Sequence, residues 1–171
     1  MTESTSGKAT PKVPPSSLAN MGLFGGLSDD VLEVLSQELT TCHAETGEVV
    51  VGEGEQATEM YVVVGGELEV VKRAPSNGDV RVALFGPGDW FGEMAIVDVQ
   101  PRSATVRAVA PTLLLKITAD EVNRLLYRKD LKAYAIFITN IARELSRRLR
   151  VVDGILAQFV TNVADTYQRR V

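Results

Sequence analysis

Between Thr46 and Thr118 the chain runs in short β-branched blocks separated by turn-forming pairs, and helical periodicity is confined to the two flanks of that region. The blocks are "GEVVVGEGE", "MYVVVGGELEVVKR", "SNGDVRVALFGPGDWFGE" and "SATVRAVAPTLLLKIT". Valine, isoleucine and threonine suit a pleated, half-buried surface, and the Gly, Asn-Gly and Pro-Gly-Asp punctuation ends each run after a few residues. Gly65-Gly66 and Asn77-Gly78 can supply the positive φ angles that tight hairpins require. About seven or eight strands at this spacing predict an antiparallel sandwich or a jelly-roll barrel.

The flanks read differently. Before the strands, in "LFGGLSDDVLEVLSQEL", Ser28 stands where an N-cap belongs, and Asp29 and Asp30 favour the positive end of the helix that follows. Val31, Leu32, Leu35 and Leu39 form its apolar stripe. After the strands, "TADEVNRLLYRKD" predicts a short helix, and Leu131 to about Thr166 a long one. The apolar positions Tyr134, Ile138, Ile141, Leu145, Leu149, Val152, Leu156, Phe159 and Val163 advance in steps of three and four, the α-helical period itself. A helix of that length can lie on the barrel with its first half, while its second half needs a partner, most simply a second copy of the chain.

Composition bounds the function. A chain of 171 residues suffices for one domain with an appended element. No apolar run approaches the roughly 20 residues needed to cross a bilayer, so no membrane role is expected. Residues 1–17, "MTESTSGKATPKVPPSS", are rich in Ser, Thr and Pro, lack an apolar signal core, and read as a disordered tail on a cytoplasmic protein. The lone Cys42 and lone His43 have no partners at ligand spacing, so no metal site is expected. Residues 1–119 carry 8 basic against 16 acidic groups, and residues 120–171 carry 10 against 6. The excess in "ARELSRRLR" spreads round a helix, the pattern of a solvated face more than of a nucleic-acid tract.

One segment does not fit the strand series. In "FGEMAIVDVQPRSAT", Phe91 to Thr105, Glu93 and Arg102 interrupt a run of small and apolar residues. "FGEMA" is long enough for one helical turn, whose leading N–H groups suit an anion. The planar fork of Arg102 complements a phosphate, and Gly92 and Ala104 leave room for a ligand near the backbone. Glu93 would repel a phosphate unless it accepts from a sugar hydroxyl. Two readings stand equal on this chemistry: a site for a phosphorylated sugar or nucleotide, and a structural Glu93–Arg102 ion pair across a loop.

The sequence "FGEMAIVDVQPRSATVRA" resembles the phosphate-binding cassette of the cyclic nucleotide-binding domain, shared by the catabolite activator (Crp-Fnr-like) proteins, the regulatory subunits of cyclic-AMP-dependent kinase and cyclic-nucleotide-gated channels. "LFGGLSDDVLEVL", "GEVVVGEGE", "MYVVVGGELEVV", "GPGDWFGE" and the terminal helices follow in that family's order, over roughly residues 20–160. The resemblance implies a mainly β fold with flanking helices, a double-stranded β-helix (jelly-roll) barrel followed by a short helix and a long C-terminal dimerisation helix. It implies a tail over 1–17, the binding domain over 18–130 and the long helix and terminus over 131–171.

It further implies that Glu93 accepts the ribose 2′-hydroxyl and that Arg102 pairs with the cyclic phosphate. Phe91, Gly92, Met94, Ala95, Ser103, Ala104 and Thr105 complete the cradle. Ser103 directly after the arginine leans toward cyclic AMP over cyclic GMP. The helix positions that read the base in the catabolite activator group fall on Val152 and Asp153, with Arg148 one turn earlier. Val152 departs from the family's pattern because it cannot hydrogen-bond, whereas Asp153 can accept from either purine.

About ten residues follow Val160, too few for a winged helix-turn-helix, so sequence-specific DNA binding is not expected by that route. The expectation is a stand-alone cytoplasmic sensor that binds a cyclic nucleotide and signals through its long helix to a protein effector, as a homodimer. The alternatives are a ligand-independent dimerisation scaffold with a vestigial pocket and a non-specific nucleic-acid-binding regulator. No nucleophile–base pair assembles in the sequence, so an enzyme is not expected.

Overall fold

The computed structural model describes residues 11–74, 78–98 and 100–168, and for 163–168 the backbone alone. The helix α1 (Pro15–Ala19) and a 3₁₀ turn (Gly22–Phe24) lead into α2 (Asp29–Glu38). Eight strands follow: β1 (Thr40–Ala44), β2 (Val49–Val51), β3 (Glu59–Gly65), β4 (Leu68–Ala74), β5 (Gly78–Phe85), β6 (Trp90–Phe91), β7 (Thr105–Ala108) and β8 (Thr112–Thr118). The turn α3 (Met94–Val97) lies between β6 and β7. After β8 come α4 (Ala119–Val122), a π-helical turn (Asn123–Tyr127) and α5 (Leu131–Gln168).

The strands form two antiparallel four-stranded sheets, ordered β1-β8-β3-β6 and β2-β7-β4-β5. This is the jelly-roll barrel, mainly β with flanking helices, that the strand spacing and the resemblance predict. The run "MYVVV" is continuously apolar because its sheet is buried on both faces. Met60 and Val62 join Leu115, Ile117 and the helices in one core, while Tyr61 and Val63 join Val70, Phe91, Val106 and Leu114 inside the barrel. The second sheet has a solvent face, and β7 alternates accordingly. Gly66 turns the β3–β4 hairpin at φ +99°, as expected, whereas Asn77 of the next hairpin lies outside the described residues.

Ser28 occupies the N-cap of α2 by backbone conformation, without a side-chain capping bond. Thr118 caps α4 with a full capping box, its hydroxyl accepting from Glu121 N–H at 3.1 Å while Glu121 accepts from Thr118 N–H at 2.7 Å.

The tail boundary is corrected. Residues 11–17 belong to the folded body: Val13 is 3% exposed. The Lys12 ammonium donates to the carbonyls of Gln37 and Leu39, and the Ser36 and Thr41 hydroxyls donate to the carbonyls of Val13 and Pro11. One apolar side chain and four hydrogen bonds are enough to order a segment whose composition is that of a linker. Residues 1–10 lie outside the described residues.

The long helix divides into two parts. Its first half sinks Ala133, Phe137 and Ile141 into the helical core, and the Asn140 amide donates to the carbonyls of Leu23 and Gly25 at 3.0 and 2.9 Å. From Leu149 to Asn162 every residue is exposed.

Candidate functional site

The turn "GPGD" is tied down locally: Asp89 accepts from Gly86 N–H at 2.9 Å, and Gly88 N–H donates to Val63 at 2.8 Å. The chain then runs through β6 to Gly92, whose φ of +80° redirects it into α3. A Cβ at Gly92 would strike the Arg102 guanidinium and come within 3.1 Å of the Glu59 carbonyl. Glycine is therefore required twice, for conformation and for space. The return through Pro101 is pinned where Arg102 N–H donates to Glu55 and Gly54 N–H donates to the Arg102 carbonyl, at 2.8 and 2.9 Å. Between these arms lies a cavity of about 160 Å³.

Arg102 is 7% exposed. Its Nη2 donates to the Glu59 carbonyl at 2.8 Å and to Glu59 Oε1 at 3.4 Å, and its Nη1 donates to the Gly92 carbonyl at 3.5 Å. The guanidinium lies 6.0 Å from the Tyr61 ring centroid. Its Nε is buried without a hydrogen-bond partner, although buried donors are normally satisfied. Burial first, and then the Glu59 carboxylate, push the Tyr61 hydroxyl up to about 12.

Glu93 is 5% exposed and occupies the N-cap of α3 by backbone position alone. Its partner is not Arg102. Arg148, from α5, donates Nη1 to Glu93 Oε1 at 3.2 Å, Nη2 to the Trp90 carbonyl at 2.6 Å and Nε to Glu144 Oε1 at 2.8 Å. Its guanidinium sits 5.3 Å from the Phe85 ring centroid. Hydrogen bonds from Arg147 and then from Arg148 hold the Glu144 carboxyl below its usual range, partly offset by burial. Among the described residues Glu93 and Arg102 form no ion pair; the structural-pair reading is replaced by two separate pairs, Arg102–Glu59 and Arg148–Glu93.

Of the residues singled out in the sequence, Phe91, Gly92, Glu93, Met94, Ala95, Arg102, Ser103, Ala104 and Arg148 line the cavity together. Three do not. Thr105 alternates away along β7, where Val106 takes the wall, and its hydroxyl accepts from Glu53 N–H at 3.0 Å. Val152 and Asp153 lie on the exposed part of α5, beyond Arg148. Sequence reasoning missed the apolar wall of Val51, Val70, Phe85 and Val106, the loop residues Gln100 and Pro101, and the partners Glu59 and Glu144. The strand alternation that turns Ala83 and Phe85 inward on β5, and Val106 and Ala108 inward on β7, was a usable signal for Phe85 and Val106.

The family model of the cyclic nucleotide-binding domain matches residues 41–129, the stretch that carries the barrel and both arms of the cavity. The chain belongs to that family. Curated proteins similar to it include two regulators. One is the CRP-like cAMP-activated global transcriptional regulator of Mycobacterium tuberculosis, 27% identical over 84% of this chain and 62% of its own length. The other is the cyclic AMP receptor protein of Thermus thermophilus, 30% identical over 77% of this chain and 58% of its own length. The chain thus spans about three fifths of these relatives. A solved cyclic nucleotide-binding domain from Methylobacillus flagellatus superposes with a TM-score of 0.74 at 26% identity, covering 85% of this chain and 82% of that one.

The matched domain ends before α5, so Arg148 reaches the cavity from outside it. Among the described residues no helix is long and apolar enough to cross a membrane, and no cluster of three or more His, Cys, Asp or Glu could hold a metal.

Proposed function

We propose that this cyclic nucleotide-binding domain is a cytoplasmic receptor that binds cyclic AMP in preference to cyclic GMP and signals through α5, as a homodimer, to a protein effector. Its work is binding and not catalysis. The observation that carries the reading is the placement of buried Glu93 and Arg102 on one cavity with the Arg102 Nε unpartnered. A cyclic phosphate at Arg102 would receive that donor, and a ribose hydroxyl would donate to Glu93. The apolar wall of Val51, Val70 and Val106 suits the carbon skeleton of the sugar. Ser103 beside Arg102 and the similarity to a cAMP-activated regulator and a cyclic AMP receptor protein support adenine over guanine.

The distal half of α5 supports a dimer. Leu149, Val152, Ile155, Leu156 and Phe159 are 57–65% exposed on a single helix, a stripe that a second copy could cover. A second reading, the ligand-independent scaffold, draws on the same pairs: Glu93 and Arg102 are each already neutralised within the chain. Calorimetric titration with cyclic AMP, cyclic GMP and a cyclic dinucleotide separates the two. Saturable heat with cyclic AMP supports the receptor; no heat with any of the three supports the scaffold.

A further inference from the structure

We propose that Tyr61 is a positioning residue for phosphate binding: from behind the cavity wall, its hydroxyl holds the Glu59 carboxylate so that Arg102 can turn its charge to an incoming cyclic phosphate. The proposal rests on the cyclic-nucleotide reading and adds a residue that does not itself line the cavity.

Glu59 and Tyr61 are two apart on β3 and so face the same side of the sheet. The Tyr61 hydroxyl donates to Glu59 Oε1 at 3.3 Å, and Arg102 Nη2 donates to that same oxygen at 3.4 Å. Glu59 Oε2 accepts from Thr58 N–H at 3.2 Å. The Tyr61 ring also lies against Arg102, with the guanidinium 6.0 Å from its centroid. Tyr61 thus touches both members of the ion pair. Its aim is fixed from the other side, where the ring stacks on Phe91 at 5.3 Å and Phe91 stacks on Phe85 at 5.8 Å. Burial, and then Glu59, raise the hydroxyl to about 12, so it remains a donor throughout the neutral range.

In the free chain Arg102 is the cation that compensates Glu59. A cyclic phosphate at Arg102 sets a second anion beside that one cation. The Glu59 side chain is 23% exposed, so water replaces only part of what it then loses. The remainder falls to Thr58 N–H and the Tyr61 hydroxyl. A donor already facing the carboxylate lowers the cost of bringing the phosphate in. Both bonds to Oε1 lie at the long end of the hydrogen-bond range, which leaves the carboxylate room to close on Tyr61 as Arg102 turns to the ligand. The effect is one of charge, and no acceptor has to be vacated.

A double-mutant cycle on the full chain tests this: wild type, Tyr61→Phe, Glu59→Gln and the double variant, each titrated calorimetrically with cyclic AMP. Phenylalanine keeps the ring on Phe91 and removes only the hydroxyl. Tyr61→Phe is expected to bind about fivefold more weakly than the wild type. With glutamine at position 59, the same change should alter affinity by less than about twofold. A ring that merely packs would cost the same in both backgrounds. Glu59→Ala supplies the uncharged background if the double variant with glutamine does not fold. Undiminished affinity in Tyr61→Phe, or a loss of equal size with and without the carboxylate, overturns the role of Tyr61 and leaves the receptor intact. No heat in the wild type overturns the receptor reading, and the role of Tyr61 with it.

Discussion

Arg102 and Glu59 are joined through one guanidinium nitrogen twice, once to the Glu59 carbonyl at 2.8 Å and once to its carboxylate at 3.4 Å. The carboxylate neutralises a cation that would otherwise be buried alone, and it competes with any anion entering the cavity. Glu59→Gln keeps the backbone acceptor and removes the competing charge. The variant is expected to lose about 1–3 kcal/mol of stability and to bind cyclic AMP more tightly. Thermal unfolding with and without nucleotide checks both: a lower Tm free and a larger ligand-induced rise.

Gly92 sits at φ +80° with the Arg102 guanidinium where a Cβ would go. Gly92→Ala must strain the backbone and push Arg102 off its Glu59 and Gly92 acceptors. The expected cost is about 1–3 kcal/mol, with loss of nucleotide binding at concentrations that saturate the wild type. Retained affinity together with a wild-type Tm would show that the cassette has room that the geometry denies.

These two residues also show how much of the site could be read from the sequence. Gly92, Glu93 and Arg102 fall within one short segment, so their spacing was visible and their convergence on one cavity was expected. Glu59 lies 43 residues from Arg102, and Arg148 lies 55 from Glu93. Both are long-range pairs that the barrel closes, and no local period marks them. The same limit applies to α5. Its apolar stripe continues unbroken through Leu145 and Leu149, and only the extent of the body decides that the first half is core and the second is not. In the tail, composition concealed Val13, because burial of a single residue leaves no pattern. The strands were legible for the opposite reason: turn pairs and β-branched runs act locally, residue by residue.

Tyr61 gives a pH signature. Its hydroxyl is raised from an ordinary 10 to about 12 by burial and by Glu59. The folded chain holds a proton that the unfolded chain gives up above pH 10. The stability this contributes is whole below about pH 10 and is lost as pH rises toward about 12. Tyr61→Phe should flatten that part of the stability curve, and an absorbance titration of the four tyrosines should show one that ionises late in the wild type only.

Outer α5 exposes Ile155, Leu156 and Phe159. If a second copy covers them, Leu156→Glu combined with Phe159→Glu places four charges across the two-fold contact and should yield a monomer in light scattering at micromolar concentration. The barrel, which these residues do not touch, should keep its nucleotide affinity within about threefold. A wild type already monomeric under those conditions would remove the homodimer.

The most direct test of the account is a calorimetric titration of cyclic AMP into the wild type and into Arg102→Ala. Arg102 is the buried cation with a donor to spare, so the account predicts saturable, near-stoichiometric heat in the wild type and none in the variant over the same range. No heat in the wild type, or unchanged affinity in Arg102→Ala, would contradict it.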